Sequence, residues 1–141
     1  MRPALRGHRT LPHTADIIIE AWGPEVITCS EEAVAALVET YANPANATIV
    51  AERLVHVAPA QADNMLVDLL DEVIFAIDVA EGIPVGAHVW ASGDGGLHAR
   101  LALADPASIE PTGAVPKAIS RSGLEVTRHP NMVRCRILVD V

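Results

Sequence analysis

The first apolar run, Ile17-Ile18-Ile19-Glu20-Ala21-Trp22, predicts a strand with Ile17, Ile19 and Ala21 on one face. Gly23-Pro24 turns the chain. Val26-Ile27-Thr28-Cys29 reads either as a short paired segment or as the approach to a helix. Ser30 is the expected N-cap of that helix. Glu31 and Glu32 follow in a first turn whose dipole favours acids, and Ala33, Val34, Ala36, Leu37, Val38 and Tyr41 recur at helical spacing. Asn43-Pro44-Ala45-Asn46 ends it. Residues 48–57 then alternate as a strand, and Pro59 stops it.

Asp63 is read as the cap of the second helix. Leu66, Leu69, Leu70, Val73, Ile74 and Ile77 form a stripe, and Asp68, Asp71, Glu72 and Asp78 fall largely off it, so the acids read as a solvated face. After Gly82-Ile83-Pro84 come runs at 85–91, 97–104 and 114–119, with Gly93-Asp94-Gly95-Gly96 as a hairpin signal between the first two. Ser122-Gly123 leads to 124–128, and His129-Pro130-Asn131 leads to a last strand over 132–139. Two helices and a long series of strands predict an α+β domain, with the helices packed on one face of a mostly antiparallel β-sheet. Residues 1–12, with two prolines, a glycine and three arginines, read as a flexible N-terminal extension before a single domain over 13–141.

Composition narrows the function. At 141 residues one domain is expected, and with 50% hydrophobic and only 3% aromatic residues its core is aliphatic. Few rings leave few stacking platforms for bases, and a net charge of -8 with Lys117 as the only lysine offers no basic block. Direct nucleic-acid binding is therefore not expected; a protein partner, a cation or a neutral ligand suits the chain better. The absence of an 18-residue apolar run and of an apolar segment after the early arginines argues against a membrane span or a secretory leader, so a cytoplasmic protein is expected. Cys29 and Cys135 are too far apart in sequence for a zinc motif and read as free buried thiols.

The candidate chemistry lies at the two ends of the sequence. Asp16 directly precedes the isoleucine run, and Asp140 follows Ile137-Leu138-Val139. Desolvating a carboxylate is costly unless something pairs with it. If the first and last strands are neighbours, Asp16, Asp140 and the carbonyl of Val141 could share a hard cation, since calcium takes carboxylate and carbonyl oxygens. On spacing alone the other reading stands beside this one: Asp16 caps a turn and Asp140 is solvated. His13 could orient Asp16. The remaining histidines, 8, 56, 88, 98 and 129, form no local metal pair, and no nucleophile-and-base motif or phosphate loop is present, so no enzyme is indicated.

The chain resembles the archease family. The resemblance rests on His13-Thr14-Ala15-Asp16 with the strand ending Ala21-Trp22-Gly23, on Glu31-Glu32-Ala33, on Leu66–Phe75, on Lys117-Ala118 and on Ile137-Leu138-Val139-Asp140-Val141, and it covers 13–141. It implies an α+β fold with two helices on a sheet. It also implies a non-enzymatic accessory protein that promotes guanylylation and multiple turnover of an RtcB-type RNA ligase in tRNA splicing and RNA repair. The resemblance further implies a divalent-cation site, generally calcium, at Asp16, Asp140 and Val141, and it makes Lys117 a candidate partner contact. A chaperone-like protein-binding module of the same fold is the alternative. One departure is visible: where the family carries Thr-Tyr-His after Lys-Ala, this chain has Ile119-Ser120-Arg121-Ser122.

Overall fold

The computed structural model describes residues 5–13, 16–79 and 82–141. In chain order the elements are β1 (Gly7–His13), β2 (Asp16–Gly23), α1 (Val26–Glu39), β3 (Ala42–Asn43), β4 (Ile49–Val57), α2 (Ala62–Val79), β5 (Ile83–Ala91), β6 (Leu97–Ala104), β7 (Glu110–Pro111), β8 (Ala118–His129) and β9 (Met132–Asp140). Strand pairing among the described residues is antiparallel throughout. It gives a four-stranded sheet β1-β2-β9-β8, a three-stranded sheet β4-β6-β5 and a short β3-β7 ladder. Both helices lie against the apolar face of these strands, and the fold is α+β as the sequence pattern predicts.

One core joins the layers. From the four-stranded sheet come Ile19, Ala21, Cys135, Ile137 and Val139; from the three-stranded sheet Val55, Val57, Val89, Ala99 and Leu101; from the helices Val34, Leu37, Leu66, Leu69, Leu70 and Val73. These are the period-2 and period-3.6 positions of the sequence, and their burial drives the layers together. The free edge of β5 is closed by α1: Val89 N–H donates to Glu31 Oε2 at 2.9 Å, which protects an edge that could otherwise pair with another chain.

The structure departs from the sequence reading in four places. First, α1 starts at Val26, not after Ser30. Glu25 is the extended N-cap, its N–H donating to Thr28 Oγ1 at 3.0 Å, and Ser30 lies inside the helix with its hydroxyl donating to the Val26 carbonyl at 2.7 Å. The β-branched run 26–28 looks strand-like, but Cys29 begins a stripe continued by Ala33, Ala36 and Leu37, and tertiary packing overrides local propensity. Second, α2 starts at Ala62, and Asp63 sits in its first turn.

Third, part of the stretch expected to be a flexible extension is ordered. Residues 7–13 are strand β1, with His8 opposite Ala21 and Thr10 opposite Ile19. An edge strand tolerates Pro12, which is why that proline does not break β1. Fourth, 118–129 is one strand, and 114–117 precedes it as loop. Its register slips between Ser120 and Glu125, and a Cβ on Gly123 would sit 2.9 Å from Leu138 Cβ. The glycine thus marks a close approach inside a strand, not a break between two.

Candidate functional site

In β2, Ile17, Ile19 and Ala21 face the core, so Asp16, Ile18, Glu20 and Trp22 face the other way. In β9, Val133, Cys135, Ile137 and Val139 face the core, which leaves Asp140, Leu138, Arg136 and Arg134 on that same outer face. The register pairs Asp16 with Asp140, with His13 opposite Asp16 on the far side and Ala118 opposite Asp140. One row across four strands therefore holds His13, Asp16, Asp140 and Ala118. The structure brings the two acids together as directly opposed residues, both half-buried. Thr14 and Ala15 lie outside the described residues.

Directly opposed cross-strand residues have Cβ atoms about 5 Å apart, and like charges there repel. Among the described residues neither carboxylate has an ion-pair partner. No three His, Cys, Asp or Glu side chains converge among the described residues. Two carboxylates and the neighbouring Val141 oxygen form an oxygen-only donor set, which fits a hard divalent cation. Lys117 sits at this end as well: its N–H donates to the Asp140 carbonyl at 2.7 Å, while its side chain is exposed. The next residues enter β8. Ile119 is buried, and Arg121 reaches back to α2, donating to Asn64 Oδ1 at 3.2 Å and lying 3.5 Å from Asp68.

Two rows away on the same face the electrostatics are different. Glu20, only 6% exposed, accepts on its single oxygen Oε2 from Arg9 Nε at 3.0 Å and Arg9 Nη2 at 2.8 Å, a charge-assisted pair. Arg134 lies over the Trp22 ring at 5.8 Å, and Trp22 itself covers Gly7.

A second charged cluster, not foreseen from sequence, ties β1 to α1. His8 Nδ1 is 2.7 Å from Glu32 and its Nε2 is 2.9 Å from Glu39, with Arg6 also paired to Glu32. Burial works against the imidazolium, but the bonds to Glu39 and Glu32 outweigh it and raise the His8 pKa above its ordinary value. Burial likewise works against the Glu32 carboxylate, and His8 and Arg6 together hold its pKa low. The missed signal was the alternation of His8 and Thr10 toward the helix. His56, His88 and His98, read singly in sequence, gather on the three-stranded sheet.

The architecture is thus a small α+β domain whose strand β2 pairs with its last strand and sets two acids side by side at the meeting point. A family model for the archease protein family matches residues 8–141. The chain belongs to the archease family. It is 36% identical over 135 residues to proteins from two Mycobacterium tuberculosis strains, each described as a probable archease, covering 96% of this chain and 75% of theirs. Two solved structures share the fold. The solution structure of a Methanobacterium thermoautotrophicum protein matches with a TM-score of 0.78 and 21% identity, covering 96% of this chain and 99% of that one. The crystal structure of a Thermotoga maritima archease, described as a possible chaperone, matches with a TM-score of 0.69 and 20% identity, covering 100% and 98%. No helix among the described residues is long and apolar enough to cross a membrane.

Proposed function

We propose that this chain is a non-enzymatic, cation-binding accessory protein that promotes guanylylation and multiple turnover of an RtcB-type RNA ligase in the cytoplasm. The observation that carries the reading is the Asp16–Asp140 register pair in a member of the archease family. Asp16, Asp140 and Val141 hold the cation, most simply calcium, and His13 lies beside Asp16 in the row. When bound, calcium supplies a hard positive centre that attracts phosphate and carboxylate oxygens. The chain's own residues hold the two strands in register around that centre. A net charge of -8 gives complementarity to a basic RNA-handling enzyme, with Lys117 as a contact at the rim.

A ligation assay with the cognate ligase, comparing single and multiple turnover, tests this. Stimulated multiple turnover that disappears in Asp16→Asn is the expected result; turnover unchanged by the wild-type chain would sink the reading. The description of the Thermotoga maritima relative as a possible chaperone favours a second reading, a chaperone-like protein-binding module without a ligase. Recovery of diverse clients and no ligase in a pull-down would support that one instead.

A further inference from the structure

The three-stranded sheet turns Val55, Ala99 and Val89 into the core, so its opposite face carries the alternate residues. One row on that face runs His56, His98, Trp90 across β4, β6 and β5. His56 and His98 are direct cross-strand partners, their ring centres 5.1 Å apart and their planes at 47°. Trp90 lies 5.6 Å beyond His98. Asp94, in the β5–β6 turn, places Oδ2 2.8 Å from His56 Nε2. Its Oδ1 accepts the Gly96 N–H at 2.9 Å, and Gly95 takes the positive φ of 91° that the turn requires, so the hairpin itself aims this carboxylate.

Two neutral imidazoles and a carboxylate make a donor set different from the oxygen-only set at Asp16 and Asp140. Borderline transition metals take imidazole nitrogen and carboxylate oxygen at about 2.0–2.2 Å, and two imidazoles sharing one such ion have ring centres roughly 5 Å apart. The His56–His98 separation of 5.1 Å already has that value. Among the described residues, no three donors converge as the side chains now stand. His98, whose ring is only partly buried, supplies the third by turning about its side-chain bonds.

We propose that His56, His98 and Asp94 form a second cation site, selective for borderline transition metals such as Zn²⁺, Ni²⁺ and Cu²⁺, with a coordination position left open to solvent. The proposal is independent of the ligase reading, because it rests on another sheet and another class of cation.

Trp90 is a built-in reporter. The sequence has two tryptophans, so Trp22→Phe leaves Trp90 alone beside the site. Its fluorescence is titrated with NiCl₂ and CuCl₂ in untagged protein, with CaCl₂ as the contrast. Saturable quenching, tighter for Cu²⁺ than for Ni²⁺ and absent with Ca²⁺, is expected. His98→Asn and Asp94→Asn each weaken the midpoint by at least about tenfold. His88→Asn leaves it in place, although the His88 ring also stacks on Trp90 at 5.6 Å. Non-saturable quenching, an unchanged midpoint in His98→Asn, or equal loss in His88→Asn would overturn the site. So would a Co²⁺ complex with thiolate charge-transfer absorption, which would place the metal at Cys29 and Cys135. Should Trp22→Phe fail to fold, imidazole nitrogen shifts of the unmodified protein with Zn²⁺ read His56 and His98 directly, with His88 as the unshifted control.

Discussion

Along β2, Asp16 and Glu20 leave the same face of the sheet, yet among the described residues only Glu20 meets a counterion. Glu20 is buried and held by both nitrogens of the Arg9 fork, so the fold neutralises it from within. Asp16 faces a second carboxylate across the ladder, and among the described residues nothing offsets the pair. One row holds its charge pair within the fold; the other sets two like charges side by side. The difference separates an acid that stabilises structure from an acid held against its electrostatic preference.

The largest expected effect breaks the second row. At calcium about 100-fold above Kd, linkage adds roughly 2.7 kcal/mol to the wild-type chain, a rise of roughly 8 °C in melting temperature for a domain of this size. Asp16→Asn or Asp140→Asn abolishes that rise. Without calcium the same variants melt no lower than wild type and gain about 0.5 kcal/mol from relieved repulsion. Scanning calorimetry with and without calcium reads both changes, and loss of stability in the calcium-free variant would contradict the unpaired row.

The first row behaves in the opposite sense. Arg9→Leu strands the Glu20 carboxylate and costs about 2 kcal/mol by urea titration. This is less than a fully buried pair would lose, because Arg9 keeps one side in solvent, and calcium does not restore it. A smaller effect follows from His8. Its folded pKa is raised, so its contribution is fully present below the unfolded value near 6.5 and is lost as pH rises through the raised folded value. Between pH 5.5 and 8.5 the urea midpoint of wild type therefore falls relative to that of His8→Gln; parallel profiles would remove His8 from the β1–α1 tie. The smallest effect concerns the helix start. Thr28→Val costs about 1 kcal/mol by breaking the cap, whereas Ser30→Ala stays within about 0.5 kcal/mol, the reverse of what a Ser30 cap requires.

That last pair shows where sequence reading succeeds and where it stops. Periodicity is a local property, so the α2 stripe, the β5–β6 hairpin and the inward residues of β2 were legible. Helix entry at Glu25 was not, because Val26-Ile27-Thr28 is strand-like until Cys29 and Ala33 find a core to pack on. Gly123 looked like a boundary because a close approach to Leu138 is a tertiary fact. Asp16 and Asp140 were each visible as acids beside apolar strands, but their meeting depends on strand order, which no local pattern encodes. His56 and His98 were unreadable as a pair for the same reason: register joins them, and register is set by which face must be buried.

Strand β9 lies between β2 and β8, so β2 has its full set of hydrogen bonds only after residues 132–140 exist to supply them. During synthesis the isoleucine run can pair on one side with β1 while its other edge waits. Such a topology places the chain among slower, high-contact-order folders and leaves an aliphatic edge open to other chains in the interval. The acid row is also the last stitch of this seam. Asp140 reaches its place opposite Asp16 only when β9 has joined, so a chain stalled before β9 can neither close the sheet nor pair the two acids.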